Sequence, residues 1–180
     1  MKLAVIGAGV TGVTTAYFLR KSGHEVTVID ANPYPAMLAS HANGGQLSSS
    51  NAEVWNSWSN VYKGLKWSFK RDAPLKMRYD LDFKKYKWLI QFMANIKHAR
   101  QNTIDTTKMA MESINIMRTE FSDINYEQDN CGIMHIYKDE KEWEHAKKVN
   151  EIYKEGGLRR TPIGVNHMKL KDPNLVTDDL

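Results

Sequence analysis

Cysteine is nearly absent: Cys131 is the single one in 180 residues. An intrachain disulfide and a multi-thiolate metal site are therefore excluded, and no metal site is expected. Such cysteine usage suits a reducing compartment. Cys131 itself reads as a small buried hydrophobe. Long hydrophobic runs are also missing, and none approaches the roughly 20 apolar residues needed to span a bilayer. The opening residues carry one positive charge, at Lys2, but the apolar run breaks at Gly7 and no small-residue cleavage site follows. They read as a strand rather than a signal peptide, and a cytoplasmic location is expected. Charge of one sign is scarce too. The net charge is +4, with Lys and Arg spread among acids, so the basic patch that nucleic acid requires is not evident and no nucleic-acid partner is expected. Internal repeats and low-complexity segments are absent.

What is present begins at the third residue. Leu3, Ala4, Val5 and Ile6 form an apolar run without polar alternation, the pattern of a strand buried on both faces. Gly7-x-Gly9-x-x-Gly12 follows at once. Residues 13–21 then read as a helix, stopped by Ser22 and Gly23. Val26 to Ile29 is a second buried strand, ending at Asp30. Each part of this unit has a physical task. Gly7 permits a tight turn out of the first strand. Gly9 lets backbone approach a pyrophosphate closely, and Gly12 lets the helix pack near the strand. The helix start offers unpaired N–H groups and a partial positive charge to phosphates. Asp30 is placed to accept hydrogen bonds from a ribose hydroxyl, and its charge would repel the 2′-phosphate of NADP. A lone glycine motif is weak, but this one lies between a strand and a helix and is answered by an acid at the right distance.

Residues 31–51 read as an irregular loop, with Pro33, Pro35, Ser40, Asn43, Gly44 and Gly45 against regular structure. A loop of that length is functional or disordered. Short helices are expected over 54–78, and an amphipathic helix over 83–99 on the spacing of Trp88, Leu89, Phe92, Met93 and Ile96. Ala110, Ile114, Met117 and Phe121 mark another helix. Ile133 to Tyr137 suggests a strand. Trp143, Ala146, Val149 and Tyr153 mark a third helix ended by Gly156 and Gly157, and a short strand is expected from Leu158. No third parallel strand appears, so the cofactor domain is expected to be interrupted. Trp55, Trp58, Trp67 and Trp88 read as core or interface. The helix over 83–100 carries Lys84, Lys85, Lys87, Lys97 and Arg100. It is read as core-facing with a basic outer face, and rest on an anionic membrane surface is the alternative.

The chain resembles the FAD-dependent amino-acid oxidoreductases, D-amino-acid dehydrogenase small subunits among them. The resemblance is carried by Val5, Ile6, Gly7, Ala8, Gly9, Val10, Thr11 and Gly12, by Gly23 to Asp30, and by Ser40 through Ser48, which includes Asn43, Gly44, Gly45 and Gln46. Leu65-Lys66-Trp67, Ala73-Pro74-Leu75, Cys131-Gly132-Ile133 and Asp172-Pro173-Asn174-Leu175 add to it. The family more often has Ala where Gly44 stands. The likeness covers nearly all of this chain but only the N-terminal part of the family.

The resemblance implies FAD as cofactor, with Ser40 bonding the pyrophosphate region and Asn43 to Gln46 passing near the isoalloxazine ring. It implies oxidative deamination of a D-amino acid to a 2-oxo acid and ammonia. The expected architecture is α/β and truncated: a Rossmann-type FAD-binding βαβ unit in residues 1–60, then the helix-rich start of a mixed α+β substrate domain in 61–180. A partner chain carrying the C-terminal part is one expectation, and peripheral contact with the inner face of the cytoplasmic membrane another. The substrate-carboxylate groups of the family lie in its C-terminal part, so no residue is assigned as catalytic. His41 lies in the flavin loop and is weighed as a contact there. His24, His98, His135, His145 and His167 read as structural or exposed. Two rival readings are a catalytically inactive remnant with weak or no dinucleotide binding and an NAD-dependent enzyme using the same turn.

Overall fold

The computed structural model describes residues 1–69, 72–73 and 80–176. Part of the expected helical stretch over 54–78, Pro74 and Leu75, and the last four residues lie outside the described set. The chain divides into two compact units, Met1–Leu47 and Ser48–Leu180.

The first unit is strand, helix, strand. β1 (Lys2–Ile6) and β2 (Glu25–Ile29) pair in parallel, with Lys2 beside Glu25, Val5 beside Val28 and Ile6 beside Ile29. A parallel pair needs a crossover, which α1 (Val10–Lys21) supplies while packing on both strands. α1 begins at Val10 rather than at residue 13, so Gly12 lies inside its first turn. It stops as expected: the Ser22 amide donates to Phe18 O at 2.9 Å, and Gly23 takes φ +85° with its amide on Arg20 O at 3.0 Å.

The strands are not buried on both faces. Leu3, Val5 and Val26 are half-buried, while Lys2, Ala4 and Ile6 are exposed. Successive side chains leave a strand on opposite faces, and α1 covers one face only. The open face carries Lys2 and Glu25, an ion pair at 3.8 Å, then Ala4 and Thr27, then Ile6 and Ile29, which are 88% and 53% exposed.

The second unit is helical. Ser57 caps α2 (Trp58–Ser68) by accepting from the Asn60 amide at 3.2 Å. Asp82 caps α3 (Phe83–Ala94), accepting from the Lys84 amide at 2.9 Å. A 3₁₀ turn (Asn95–His98) joins α3 directly to α4 (Ala99–Glu120), so the two helices expected over 83–99 and around 110–121 are nearly continuous. Asp139 caps α5 (Glu140–Glu155) through the Lys141 amide at 2.8 Å.

Two expected strands are absent. Residues 133–137 form no ladder, and among the described residues β1 and β2 are the only sheet. Residues 158–164 are irregular and lead into a helix that the sequence reading missed, α6 (Val165–Lys171). Cys131 is exposed, not buried. Trp55, Trp58 and Trp88 are exposed, which excludes the core half of the core-or-interface expectation for them, and Trp67 is half-buried.

The packing centre of this unit is Tyr153 on α5, 2% exposed, with Val149, Ala52 and Leu158 around it. Its hydroxyl donates to Ser50 O at 3.0 Å and accepts from the Glu53 amide at 3.1 Å. The Arg160 guanidinium lies 4.7 Å from its ring centre, with one nitrogen on Ala146 O at 3.0 Å. Burial of the phenol raises its pKa above the usual 10.0. At the end of α5, Gly156 meets α4 closely. A Cβ there would lie 2.6 Å from the Cβ of Thr107, whose side chain is fully enclosed. Only glycine fits that approach. His135 ties its irregular segment down through a 2.6 Å hydrogen bond between Nε2 and Ser50 Oγ.

Candidate functional site

The site lies in the first unit, where β1 gives way to α1. Gly7 has φ +99°, a conformation that side chains disfavour. Its amide donates to Ile29 O at 2.7 Å, extending the pairing of the strands by one bond. Gly12 sits over it: a Cβ at Gly12 would come within 1.8 Å of Gly7 O. That distance is far inside contact, so the turn admits no side chain at this position. A Cβ on Gly9 would lie 3.2 Å from Ser40 Oγ. Gly9 thus keeps open the approach to the helix start.

Two side chains reach the turn from later in the chain. Asp30, leaving β2, accepts from the Ala8 amide at 2.6 Å through Oδ2 and from the Asn32 amide at 2.8 Å through Oδ1. The Asn32 side-chain amide adds a bond of 2.9 Å to Oδ1. These bonds, the Ala8 amide first, hold the Asp30 carboxyl below its usual 3.8. Ser40 Oγ accepts from the Val10 amide at 2.9 Å, which leaves its hydroxyl proton for another acceptor. The Ala36 amide closes the loop on Ala8 O at 2.9 Å.

The first amides of a helix have no intrahelical carbonyl. Among the described residues, the N–H groups of Thr11 and Gly12 have no protein acceptor. They form the partial positive end of α1. A turn kept free of Cβ atoms at Gly7, Gly9 and Gly12, two open amides, a spare hydroxyl and a fixed carboxylate match what a dinucleotide pyrophosphate and ribose require.

Asp30, Ala8, Ser40 and Val10 are therefore brought together. Val5 is half-buried in β1 against Val28, and Ile6 is exposed at the strand end. Asn43, Gly44, Gly45 and Gln46 are exposed and form their own turn. Asn43 accepts from the Gly45 amide at 2.8 Å and donates to Ala39 O at 3.1 Å, without bonding the glycine turn. His41 is exposed, its amide on Leu38 O. Sequence reasoning missed Asn32 and Ala36. The Asp-x-Asn spacing of 30 and 32 was the available signal for the first, because Asx side chains bond backbone two residues on. Among the described residues no group of three His, Cys, Asp or Glu side chains could hold a metal ion, and no helix is long and apolar enough to cross a membrane.

Fold and site together define a dinucleotide-binding α/β protein with a small parallel sheet and helices. The chain belongs to the FAD dependent oxidoreductase family, whose model matches residues 2–175. It is 48% identical over 165 residues to D-amino acid dehydrogenase 3 of Mesorhizobium japonicum, a match covering 90% of this chain and 40% of that protein. It is 42% identical over 168 residues to a D-amino acid dehydrogenase of Paramagnetospirillum magneticum, with the same coverage of 90% and 40%. A D-amino acid dehydrogenase of Dechloromonas aromatica is 34% identical over 180 residues, covering 97% of this chain and 43% of the relative. The chain thus spans about two-fifths of the length of the curated relatives it matches. No solved structure matches it. FAD is the cofactor of this family, and the chain is similar to its D-amino acid dehydrogenases.

Proposed function

We propose that this chain supplies the flavin-holding part of a D-amino-acid dehydrogenase. The observation that carries the reading is the pair of open amides on Thr11 and Gly12 beside the Ser40 hydroxyl. In this reading those three groups hold the pyrophosphate of FAD, and Val5, Ile6, Gly7, Ala8, Gly9 and Val10 build the turn that presents them. Asp30 accepts from the adenosine ribose. Asn43, Gly44, Gly45 and Gln46 approach the isoalloxazine ring, where exposed backbone amides suit a flat polar edge. Residues 1–60 form the N-terminal part of a Rossmann-type FAD-binding domain, and 61–180 the start of a substrate domain.

When bound, FAD supplies the two-electron acceptor for oxidation of the Cα–N bond of a D-amino acid, and the resulting imine hydrolyses to a 2-oxo acid and ammonia. The groups that would bind the substrate carboxylate are assigned to polypeptide beyond the family's N-terminal part, in the same chain or in a partner. The working place in this reading is the cytoplasm, at the inner face of the membrane. A second reading is a remnant that holds FAD weakly or not at all. Exposure of Ile6 and Ile29 on the open sheet face favours it, because a parallel sheet ordinarily has both faces covered.

The flavin absorbance spectrum of the purified protein separates the two. A bound flavin that bleaches on addition of D-alanine supports the dehydrogenase. A bound flavin that does not bleach restricts the chain to holding cofactor. A colourless protein that takes up no added FAD establishes the remnant.

A further inference from the structure

Asn43 is followed by Gly44, and no other asparagine of the chain precedes a glycine. The pair sits in an exposed, irregular segment of the first unit. Asparagine before glycine carries its own reagents. One is the electrophilic carbon of the side-chain amide. The other is a backbone nitrogen one residue on, with no Cβ beside it to crowd the approach. The surroundings leave that approach free. A Cβ built on Gly44 would meet nothing within 4 Å. Among the described residues, the Gly44 amide donates to no protein acceptor.

The Asn43 side chain is already turned toward the backbone that follows it. Its Oδ1 accepts from the Gly45 amide at 2.8 Å, and Gly45 takes φ +61°. The ring closed by that bond contains both the Asn43 Cγ and the Gly44 nitrogen. The same bond draws electron density from Cγ and would stabilise negative charge developing on Oδ1, as an oxyanion donor does. Nδ2 donates to Ala39 O at 3.1 Å and to Ser40 O at 3.4 Å, exposed contacts that water replaces at small cost. Other asparagines lack a requirement. Asn32 precedes Pro33, which has no N–H to give up. The amide after Asn56 is engaged on Trp55 O at 2.8 Å, and the one after Asn60 on Ser57 O at 3.1 Å. Asn150 is buried, with its side-chain amide on Arg160 O.

We infer that Asn43–Gly44 is a self-modification site, at which the chain deamidates through a succinimide. The Gly44 nitrogen bonds to Asn43 Cγ and the Cγ–Nδ2 bond breaks. The proton of the Gly44 amide passes by way of water to the departing nitrogen, which leaves as ammonia. Water then opens the ring at either carbonyl. Attack at Cγ gives aspartate. Attack at the main-chain carbonyl carbon gives isoaspartate, with the chain now running through Cβ and Cγ. Nothing is oxidised or reduced, and water is the only co-reactant. Either product places a carboxylate in a stretch, Ala31 to Ala52, that holds no Asp, Glu, Lys or Arg. The modification rests on residues 39 to 45 alone. Its consequence for cofactor, a negative charge in the segment read as approaching the flavin ring, rests on the reading above.

The test is incubation of the purified full chain at neutral and mildly alkaline pH. Peptide mass spectrometry and methyl transfer by an isoaspartyl methyltransferase are the two readouts, and a sample digested at once sets the background. The expected result is time-dependent conversion at residue 43 with the mass gain of exchanging NH2 for OH. Aspartyl and isoaspartyl products should appear together, at a rate that rises with pH. Gly44→Ala should lose the conversion over the same period. Its methyl meets nothing nearby and Gly44 does not take a positive φ, so the backbone accommodates it, and circular dichroism verifies the fold. An unchanged Asn43 after prolonged incubation overturns the inference. So does conversion at equal rate in Gly44→Ala. Aspartate without isoaspartate overturns it too, because that is direct hydrolysis of the side chain without ring closure. A separate FAD titration compares the fresh chain with Asn43→Asp. Equal uptake there contradicts the placement of the loop at the flavin and leaves the modification site, read by mass alone, standing.

Discussion

Asp30 Oδ2 accepts a 2.6 Å hydrogen bond from the amide of Ala8, joining the end of β2 to the glycine turn at the end of β1. The carboxylate therefore serves the turn before it serves any ligand. Its pKa is lowered by that bond and by those from Asn32. The sign follows: the stability it contributes is present above its ordinary value near 3.8 and is lost as pH falls through the depressed folded value. Asp30→Asn should remove this acid dependence from the thermal melting profile and weaken FAD binding by roughly tenfold, the loss of charge-assisted bonds. Melting curves across the acid range and flavin fluorescence titration check the two outcomes.

Gly12→Ala should destroy the turn. The added methyl would stand 1.8 Å from Gly7 O, and backbone on both sides fixes that approach. FAD retention should fall below detection, while the helical second unit keeps its circular dichroism signal. Retention equal to wild type would mean that the turn relaxes at no cost.

At the other end of the chain, Gly156→Ala drives a methyl to within 2.6 Å of Thr107 Cβ. Overpacking of this kind costs about 1–3 kcal/mol. Tyr153→Phe leaves the Ser50 carbonyl and the Glu53 amide without their partner, also at about 1–3 kcal/mol. Urea denaturation of each variant measures both losses.

His135 is held below its ordinary pKa of 6.5, chiefly by burial and then by the charge of Arg160. A lowered folded pKa means that the unfolded chain takes the proton first. Stability from this group is present above 6.5 and declines as pH falls through the folded value. His135→Gln should flatten that limb of the stability profile while leaving the Asp30 limb at lower pH unchanged.

The glycine turn was legible because its requirements are local. Gly7 needs a positive φ, Gly12 needs room, and Asp30 needs to leave a strand beside them, and all three show in residue type and spacing. The strand expected over 133–137 was misread because apolar and β-branched residues mark a segment that could pair, not one that has a partner. Ile133 and Ile136 instead remain exposed, and His135 makes the long-range bond. Trp58 on α2 and Trp88 on α3 show a related gap. A 3.6-residue period identifies a helix face but not what covers it. Trp58 and Trp88 were therefore read as core or interface on residue type, and both are exposed in this chain. Asn32 escaped notice although the Asp-x-Asn spacing marks an Asx turn, because Asp30 was read only as a partner for ribose.

The central claim is that amides at the start of α1 are open to a diphosphate. Titration of the purified chain with FAD, beside Gly9→Val, tests it most directly. The valine side chain would fill the space next to Ser40 Oγ, where a Cβ already comes to 3.2 Å. Saturable quenching of flavin fluorescence by the wild type, lost in the variant, is the expected result. Indistinguishable titrations of the two proteins, whether both bind or neither does, would contradict the account.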